Sequence, residues 1–332
     1  MYCRNEAFEI LQEEGRPMTS LSELAENYER WAAQDESRQP TQRGSAILST
    51  RQSPDRRRKM KRVLWVLFCI FAITTICTAQ SVLYFPQIVE GQAGGFVWGS
   101  GIILTNTAAP GTAVASGTLT LTKDDGTLWS LPLTDLQGNS LGSGSVSFQL
   151  AGGQATLFLT PALADHQTDT LPLTSGFATV TSNVPLAGSA LFEEHGVIAG
   201  CSPGITQCEP MTGRIGEAGV PPATPLTGQT TIAFASTGDN PNSGVAIANP
   251  GTGTATITFQ LLDTSGTTAG PSVTKTLAAN NHTAFFINQL FPNLGSFFVG
   301  TVRITSDIPV VSTALLFEHN GQFSTFPVFP LQ

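Results

Sequence analysis

Past position 80 only a few residues have the type and spacing to do chemistry. Cys201 and Cys208 stand seven positions apart in a loop that contains Pro203 and Gly204. In an oxidising compartment an even pair at this spacing reads as a disulfide. A metal site would want further ligands, and none of the four histidines lies within five positions of either cysteine. Closing so small a loop stabilises a fold by only about 2–3 kcal/mol. Gly138-Asn139-Ser140-Leu141-Gly142 matches the pattern of a hydrolase nucleophile elbow, which needs a strand before the serine and a helix after it. Here Ser143-Gly144-Ser145 and another strand pattern follow, so a loop is expected and a hydrolase ranks third among the functions.

Glu194-His195 and Glu318-His319 recur as acid–base pairs able to bind a divalent ion or pass a proton. Adjacent strand residues point to opposite faces, so neither pair converges easily on one atom, and inherited strand-end residues are expected. Asp239-Asn240-Pro241-Asn242-Ser243-Gly244 resembles a calcium loop superficially, yet its oxygen-bearing side chains miss the required alternation. A turn is expected there. Flat exposed aromatics bind sugars, and Trp98 and Trp129 are the candidates for such a platform. The sequence assigns no catalytic, cofactor-binding or metal-ligating residue, and the expectation is a protein that is not an enzyme.

These residues sit in a chain of uneven charge. It carries 16 Lys+Arg and 24 Asp+Glu in 332 residues. Residues 1–62 hold 12 of the basic and 10 of the acidic side chains, leaving 4 and 14 beyond. With only Lys123, Arg214, Lys275 and Arg303 remaining, phosphate neutralisation has no basis, which excludes nucleic acid and adhesion to anionic lipid.

Residues 63–77 (VLWVLFCIFAITTIC) form an uncharged apolar run behind Arg56, Arg57, Arg58, Lys59, Lys61 and Arg62, a flank that stays cytoplasmic. Small residues at Cys77 and Ala79 suit a signal-peptidase cut before Gln80. If translation starts at Met1, the segment is a membrane anchor. If it starts at Met60, residues 60–79 are a signal peptide of ordinary length. Either way the chain beyond 80 is exported, and residues 63–79 contact the membrane if uncleaved. Residues 1–62 are polar and aperiodic apart from helical spacing over 21–33, so one short helix and otherwise disorder is expected; a cytoplasmic tail and a misassigned start both remain open.

Beyond Gln80, runs rich in Val, Ile, Thr, Phe and Leu alternate with Gly, Pro, Asn, Asp and Ser clusters, an all-β pattern. Strands are predicted at 83–89, 96–105, 113–122, 128–131, 145–150, 155–159, 176–181 and 186–193. The second set is 230–235, 244–248, 254–262, 272–277, 283–286, 296–305, 309–317 and 323–328, with a hairpin turn at 124–127 and a helical turn at 287–291. The two sets repeat. Ile102-Ile103-Leu104-Thr105-Asn106 answers Val245-Ala246-Ile247-Ala248-Asn249, and each is followed by Pro-Gly. Val180-Thr181-Ser182-Asn183-Val184-Pro185-Leu186 answers Ile304-Thr305-Ser306-Asp307-Ile308-Pro309-Val310, a shared turn in which Ser-Asn and Ser-Asp can bond their own backbone and Pro stays out of the strand interior.

Tyr84-Phe85-Pro86-Gln87-Ile88, the two Asn-ended strands, Ile287-Asn288-Gln289-Leu290-Phe291-Pro292, Thr305-Ser306-Asp307-Ile308-Pro309-Val310 and Phe323-Ser324-Thr325-Phe326-Pro327-Val328 resemble uncharacterised secreted tandem β-sandwich proteins of environmental bacteria. The resemblance covers nearly all of 84–332. It implies fold and export, and no ligand or catalytic residue.

The fold expected is therefore all-β: two tandem Ig-like antiparallel β-sandwiches after an N-terminal membrane-targeting helix and a mostly disordered tail. The domains are 1–62 (tail), 63–79 (anchor or signal peptide), 83–199 (first sandwich), 200–226 (Pro/Gly-rich linker with the Cys pair) and 227–332 (second sandwich). The expected function is a structural, adhesive or interaction protein of the cell envelope or exterior, whose partner is an unknown protein or glycan. The alternative is a carbohydrate-binding or accessory module of a polysaccharide-degrading system.

Overall fold

Strict alternation of apolar and polar side chains builds the strands. In β6 (Ser145–Leu150) Val146, Phe148 and Leu150 are buried while the residues between them are exposed, and in β13 (Ala255–Asp263) Ala255, Ile257, Phe259 and Leu261 point inward. The computed structural model describes residues 80–93, 96–165, 171–198, 211–236, 241–318 and 322–332. The tail, the apolar segment, Cys201, Cys208, Asp239, Asn240 and His319 lie outside the described residues. Among the described residues no helix is long and apolar enough to cross a membrane.

The fold is all-β, and among the described residues all strand pairs are antiparallel apart from one isolated bridge. The first half holds β1 (Ser81–Ala93), β2 (Phe96–Asn106), β3 (Ala115–Lys123), β4 (Pro132–Thr134), β5 (Ser140–Ser143), β6, β7 (Ala155–Leu159), β8 (Thr174–Ser182), β9 (Leu186–Ile198) and β10 (Met211–Val220). A short helix, α1 (Pro161–Asp165), follows β7. The second half holds β11 (Leu226–Ser236), β12 (Asn242–Ala248), β13, β14 (Val273–Leu277), β15 (His282–Phe286), β16 (Phe297–Phe317), β17 (Phe323–Phe326) and β18 (Phe329–Pro330), with α2 (Ile287–Leu290) after β15.

The two halves follow one pairing order. β6-β3-β8-β1 in the first corresponds to β14-β13-β16-β11 in the second. Likewise β7-β2-β9-β10 corresponds to β15-β12-β16-β17. The buried amide of Asn106 donates to the carbonyls of Ala113 and Leu150, and that of Asn249 donates to Gly253, Leu277 and Ala278. These two asparagines close the ends of equivalent strands, which is why both motifs end in Asn. At the later corner Asn183 accepts from the Ser116 N–H and Asp307 from the Thr256 N–H.

Four sequence expectations need correction. The stretch 200–226 contains β10, which pairs with β9 and buries Ala218 and Val220, so it carries the last strand of the first half. Strands predicted at 296–305 and 309–317 are one strand, β16, because the backbone stays extended through Asp307 and Pro309 while its partners change from β11 and β13 to β12 and β17. Residues 128–131 form no strand beyond a bridge from Leu128 to Thr122. The loop expected around Ser140 is a hairpin strand, β5, paired with β4.

The described residues form one compact unit. The core of the first half runs from Phe85 through Val220 and includes Leu315 and Phe323 of the second, whereas the second half's core draws only on its own residues. A further cluster joins Phe177 with Ala248 and Val311, backed by Tyr84 and Ala223.

Candidate functional site

The region where the two halves meet gathers aromatic rings, carboxyl groups and an apolar cavity. It starts at the hairpin after β3. Gly126, at φ +82°, closes that turn, and a Cβ there would lie 2.6 Å from Asn281 Oδ1 of the second half. Glycine lets the hairpin press against the turn before β15. Asp124 then meets His282: its carbonyl accepts the His282 N–H at 3.1 Å, and its Oδ1 lies 2.7 Å from Nδ1 of the fully buried imidazole. Ser175 Oγ donates to the same carboxylate. Burial pushes the Asp124 carboxyl up, but the hydrogen bonds and charge of His282, with Ser175, outweigh it and hold it below the usual carboxylate range. The other imidazole nitrogen, Nε2, is buried without a hydrogen-bond partner among the described residues.

On the far side of the junction Trp98 of β2 stacks on Phe323 at 5.6 Å and tilts against Phe317 at 6.2 Å, and Phe317 meets Phe286 edge-on at 5.1 Å. Beside these rings lies an apolar cavity of about 470 Å³ with walls from both halves. Among the described lining residues the polar side chains are Gln87, Gln289, Thr313 and the indole N–H of Trp98, and none is charged.

Strand alternation separates the first acid–base pair. Glu194 is paired across β2 with Trp98 and so shares its face, where burial pushes the carboxyl up to about 7. His195 points the other way and bonds Glu193, with Nε2 to Oε2 at 2.8 Å. Glu193 also faces Arg214 of β10 at 3.4 Å, and Arg214 pairs with Glu217. The partner of His195 is therefore Glu193, two positions away on the same face. Period-two spacing in the sequence carried that signal, and reading Glu194-His195 as the pair obscured it. Glu318 is exposed, so the second copy of the motif does not reproduce the buried carboxyl of the first.

Other predicted residues take structural places. Trp129 is 6% exposed inside the first core, so it offers no face for a sugar and forms no platform with Trp98. Ser140 is an exposed residue of β5, followed by strands and not by a helix, so the nucleophile-elbow context is missing. In the Asp239–Gly244 stretch, Ser243 is buried and its Oγ accepts from the Phe234 N–H. Ser100 does the same for the Val89 N–H. These two serines, bridging the first and second strands of each half, escaped the sequence reading; their equal offset from Asn106 and Asn249 is the only sign of them. Glu90, also missed, is buried and accepts from the Ala162 N–H at the start of α1 at 2.8 Å. Among the described residues no group of three or more His, Cys, Asp or Glu side chains is placed to hold a metal ion.

No family model matches the chain, and no curated protein does. Among solved structures it is similar to an isomalto-dextranase of Arthrobacter globiformis T6 complexed with panose, at 14% identity over 69% of this chain and 35% of that one, with a TM-score of 0.19. It is similar also to the pilus backbone of Streptococcus pneumoniae, at 11% identity over 74% and 91% of the two chains and a TM-score of 0.13. A third is the β-glucuronidase 2 of Bacteroides uniformis, at 10% identity, 76% and 32% coverage and a TM-score of 0.16. The chain thus spans about a third of the isomalto-dextranase, and at these TM-scores the likenesses carry no argument about function.

Proposed function

We propose that this chain is an exported structural, adhesive or interaction module of the cell envelope or exterior, built as two tandem Ig-like β-sandwiches and acting without catalysis. The observation that carries the reading is the junction. An aromatic cluster, a shared apolar core and the Asp124–His282 contact fix one half on the other, so the pair presents its surfaces in a constant relation. A body of that kind suits holding partners at a set geometry, where two surfaces add avidity. The acid and base side chains fit the same reading: Glu90 binds the start of α1, Asp124 and His282 bind each other, and Glu193, His195, Arg214 and Glu217 form one network. With β10 included, the first sandwich reaches Val220 and the second begins at Leu226. The carbohydrate alternative loses its platform with the burial of Trp129.

Fractionation of the native host, with N-terminal sequencing and saturable binding of the purified protein to isolated envelopes, tests this. Mature protein outside the cytoplasm that binds envelopes is the expected result. Recovery of the folded β region in the cytosol, or hydrolytic turnover lost in Ser140→Ala, would overturn it.

A further inference from the structure

We propose that the cavity between the halves is a binding site for a neutral, ring-bearing apolar small molecule with a hydrogen-bond donor. Its volume, about 470 Å³, falls in the range of ordinary small-molecule sites. The first half supplies Val89, Trp98 and Phe192 to the wall, and the second supplies Phe286, Leu315 and Phe317. Rings on both sides suit a flat hydrophobic occupant, which gains most where aromatic faces and edges meet it. Among the described residues no lining side chain is charged, so an ion entering would lose its hydration without a counter-charge from them, and the proposed occupant is neutral.

The polar groups define its orientation. Gln289 in the wall already accepts the Phe286 N–H through Oε1. Gln87, 9% exposed, keeps its Oε1 without a hydrogen-bond partner among the described residues. That oxygen is buried, and the broad terminal torsion of glutamine allows the amide to turn it toward the cavity. A ligand N–H or O–H then satisfies a buried acceptor that the described residues leave unmet. The site is independent of the envelope reading, since it exists wherever the chain resides.

N-phenyl-1-naphthylamine, a neutral probe with phenyl and naphthyl rings and one N–H, tests the site on the full chain. Its sulfonated analogue, 1-anilinonaphthalene-8-sulfonate, is the charged counterpart. The expected result is saturable fluorescence enhancement with one molecule per chain, roughly tenfold tighter for the neutral probe. Ala284 and Ala93 are exposed residues of the cavity rim, one on each half. Ala284→Trp is expected to weaken binding roughly tenfold by filling the mouth, with an unchanged circular dichroism spectrum. Ala93→Trp gives the same reading from the opposite rim should the first variant not fold. Uptake by the apolar segment 63–77 is insensitive to either substitution and so separates from the cavity signal. Gln87→Leu is expected to abolish the preference for N-phenyl-1-naphthylamine over its N-methyl derivative, which lacks the donor. Absence of a saturable component, equal affinity for the two probes, or unchanged binding in both folded rim variants would overturn the site; a preserved donor preference in Gln87→Leu would overturn the role of that amide.

Discussion

The core of the first half contains Leu315 and Phe323 from the second, packed near Trp98, while the core of the second half, centred on Phe259, Ile247 and Ile304, takes nothing from the first. The two halves share one pairing order and one pair of asparagine corners, so this asymmetry comes from neither topology nor turn chemistry. It comes from the outer face of β16 and β17, where Leu315, Phe317 and Phe323 are apolar and cover the open end of the first core. The first half also carries the β4–β5 hairpin region, which sends Trp129, Leu131 and Leu133 inward, whereas β13 and β14 are direct neighbours in the second. A repeated frame thus fixes strand order, and the variable segments decide which half can stand alone.

Separating the halves breaks the comparison most severely. Residues 226–332 expressed alone are expected to melt cooperatively, and residues 81–220 alone to lack a cooperative transition; calorimetry of both fragments checks this. In the intact chain Phe323→Ala is expected to cost roughly 3 kcal/mol. An independently stable first half would show the borrowed side chains to be dispensable.

The asparagine corners come next. Asn249 serves three carbonyls and Asn106 two, and both are fully buried. Removing either leaves buried carbonyls unpaired, about 2–4 kcal/mol in urea unfolding, with Asn249→Ala the more damaging. Equal effects would mean that water replaces the third bond.

Glu194 sharpens the contrast between the repeated Glu-His motifs. Its folded-state carboxyl, near 7, lies above the unfolded value near 4.5, so the native state binds the extra proton between these values. Stability is therefore highest at or below pH 4.5 as far as this group is concerned and falls as pH rises toward and through 7. Glu194→Gln is expected to raise stability above pH 7 by no more than about 3 kcal/mol and to change nothing at pH 4. Glu318→Gln, at the exposed equivalent, is expected to be silent at both.

Asp124→Ala leaves the buried His282 ring without its carboxylate, a loss of about 1–2 kcal/mol that thermal unfolding will register. Because the Asp124 carboxyl is held below its ordinary value, its contribution is present above pH 3.8 and is lost as pH falls through the lower folded value. The smallest effect belongs to the later corner. The exposed Asp307 carboxyl is held low, first by the Thr256 N–H, so Asp307→Asn should differ from the parent at neutral pH and converge with it in acid. Asn183→Ala, lacking a charge in the parent, should show no such convergence.

Much of the strand order was legible because exposed-buried alternation is local. Residues 145–150 and 155–159 were bounded as found, since each run is flanked by glycine or polar breaks. β10 was not legible: Met211–Val220 holds Gly213, Gly216 and Gly219 and resembles a linker until β9 offers it a pairing edge. The β16 corner misled in the opposite direction, because Asp307 and Pro309 look like a break where the chain merely changes partners. Of the junction, neither the cavity nor the Asp124–His282 contact was readable, since residues 158 positions apart leave no periodic trace.

By itself the sequence determined an all-β chain, whose alternation depends on neighbours within a few residues, and its internal repetition, whereas the asparagines took partners 28 to 67 positions away. The tertiary structure alone decided that Trp129 is core, that Glu194 is desolvated, that Glu193 serves His195, and that the halves share a wall around an apolar space. Those outcomes depend on which surfaces meet, and burial, the property that sets both a ring's accessibility and a carboxyl's proton affinity, exists only after the two halves have packed.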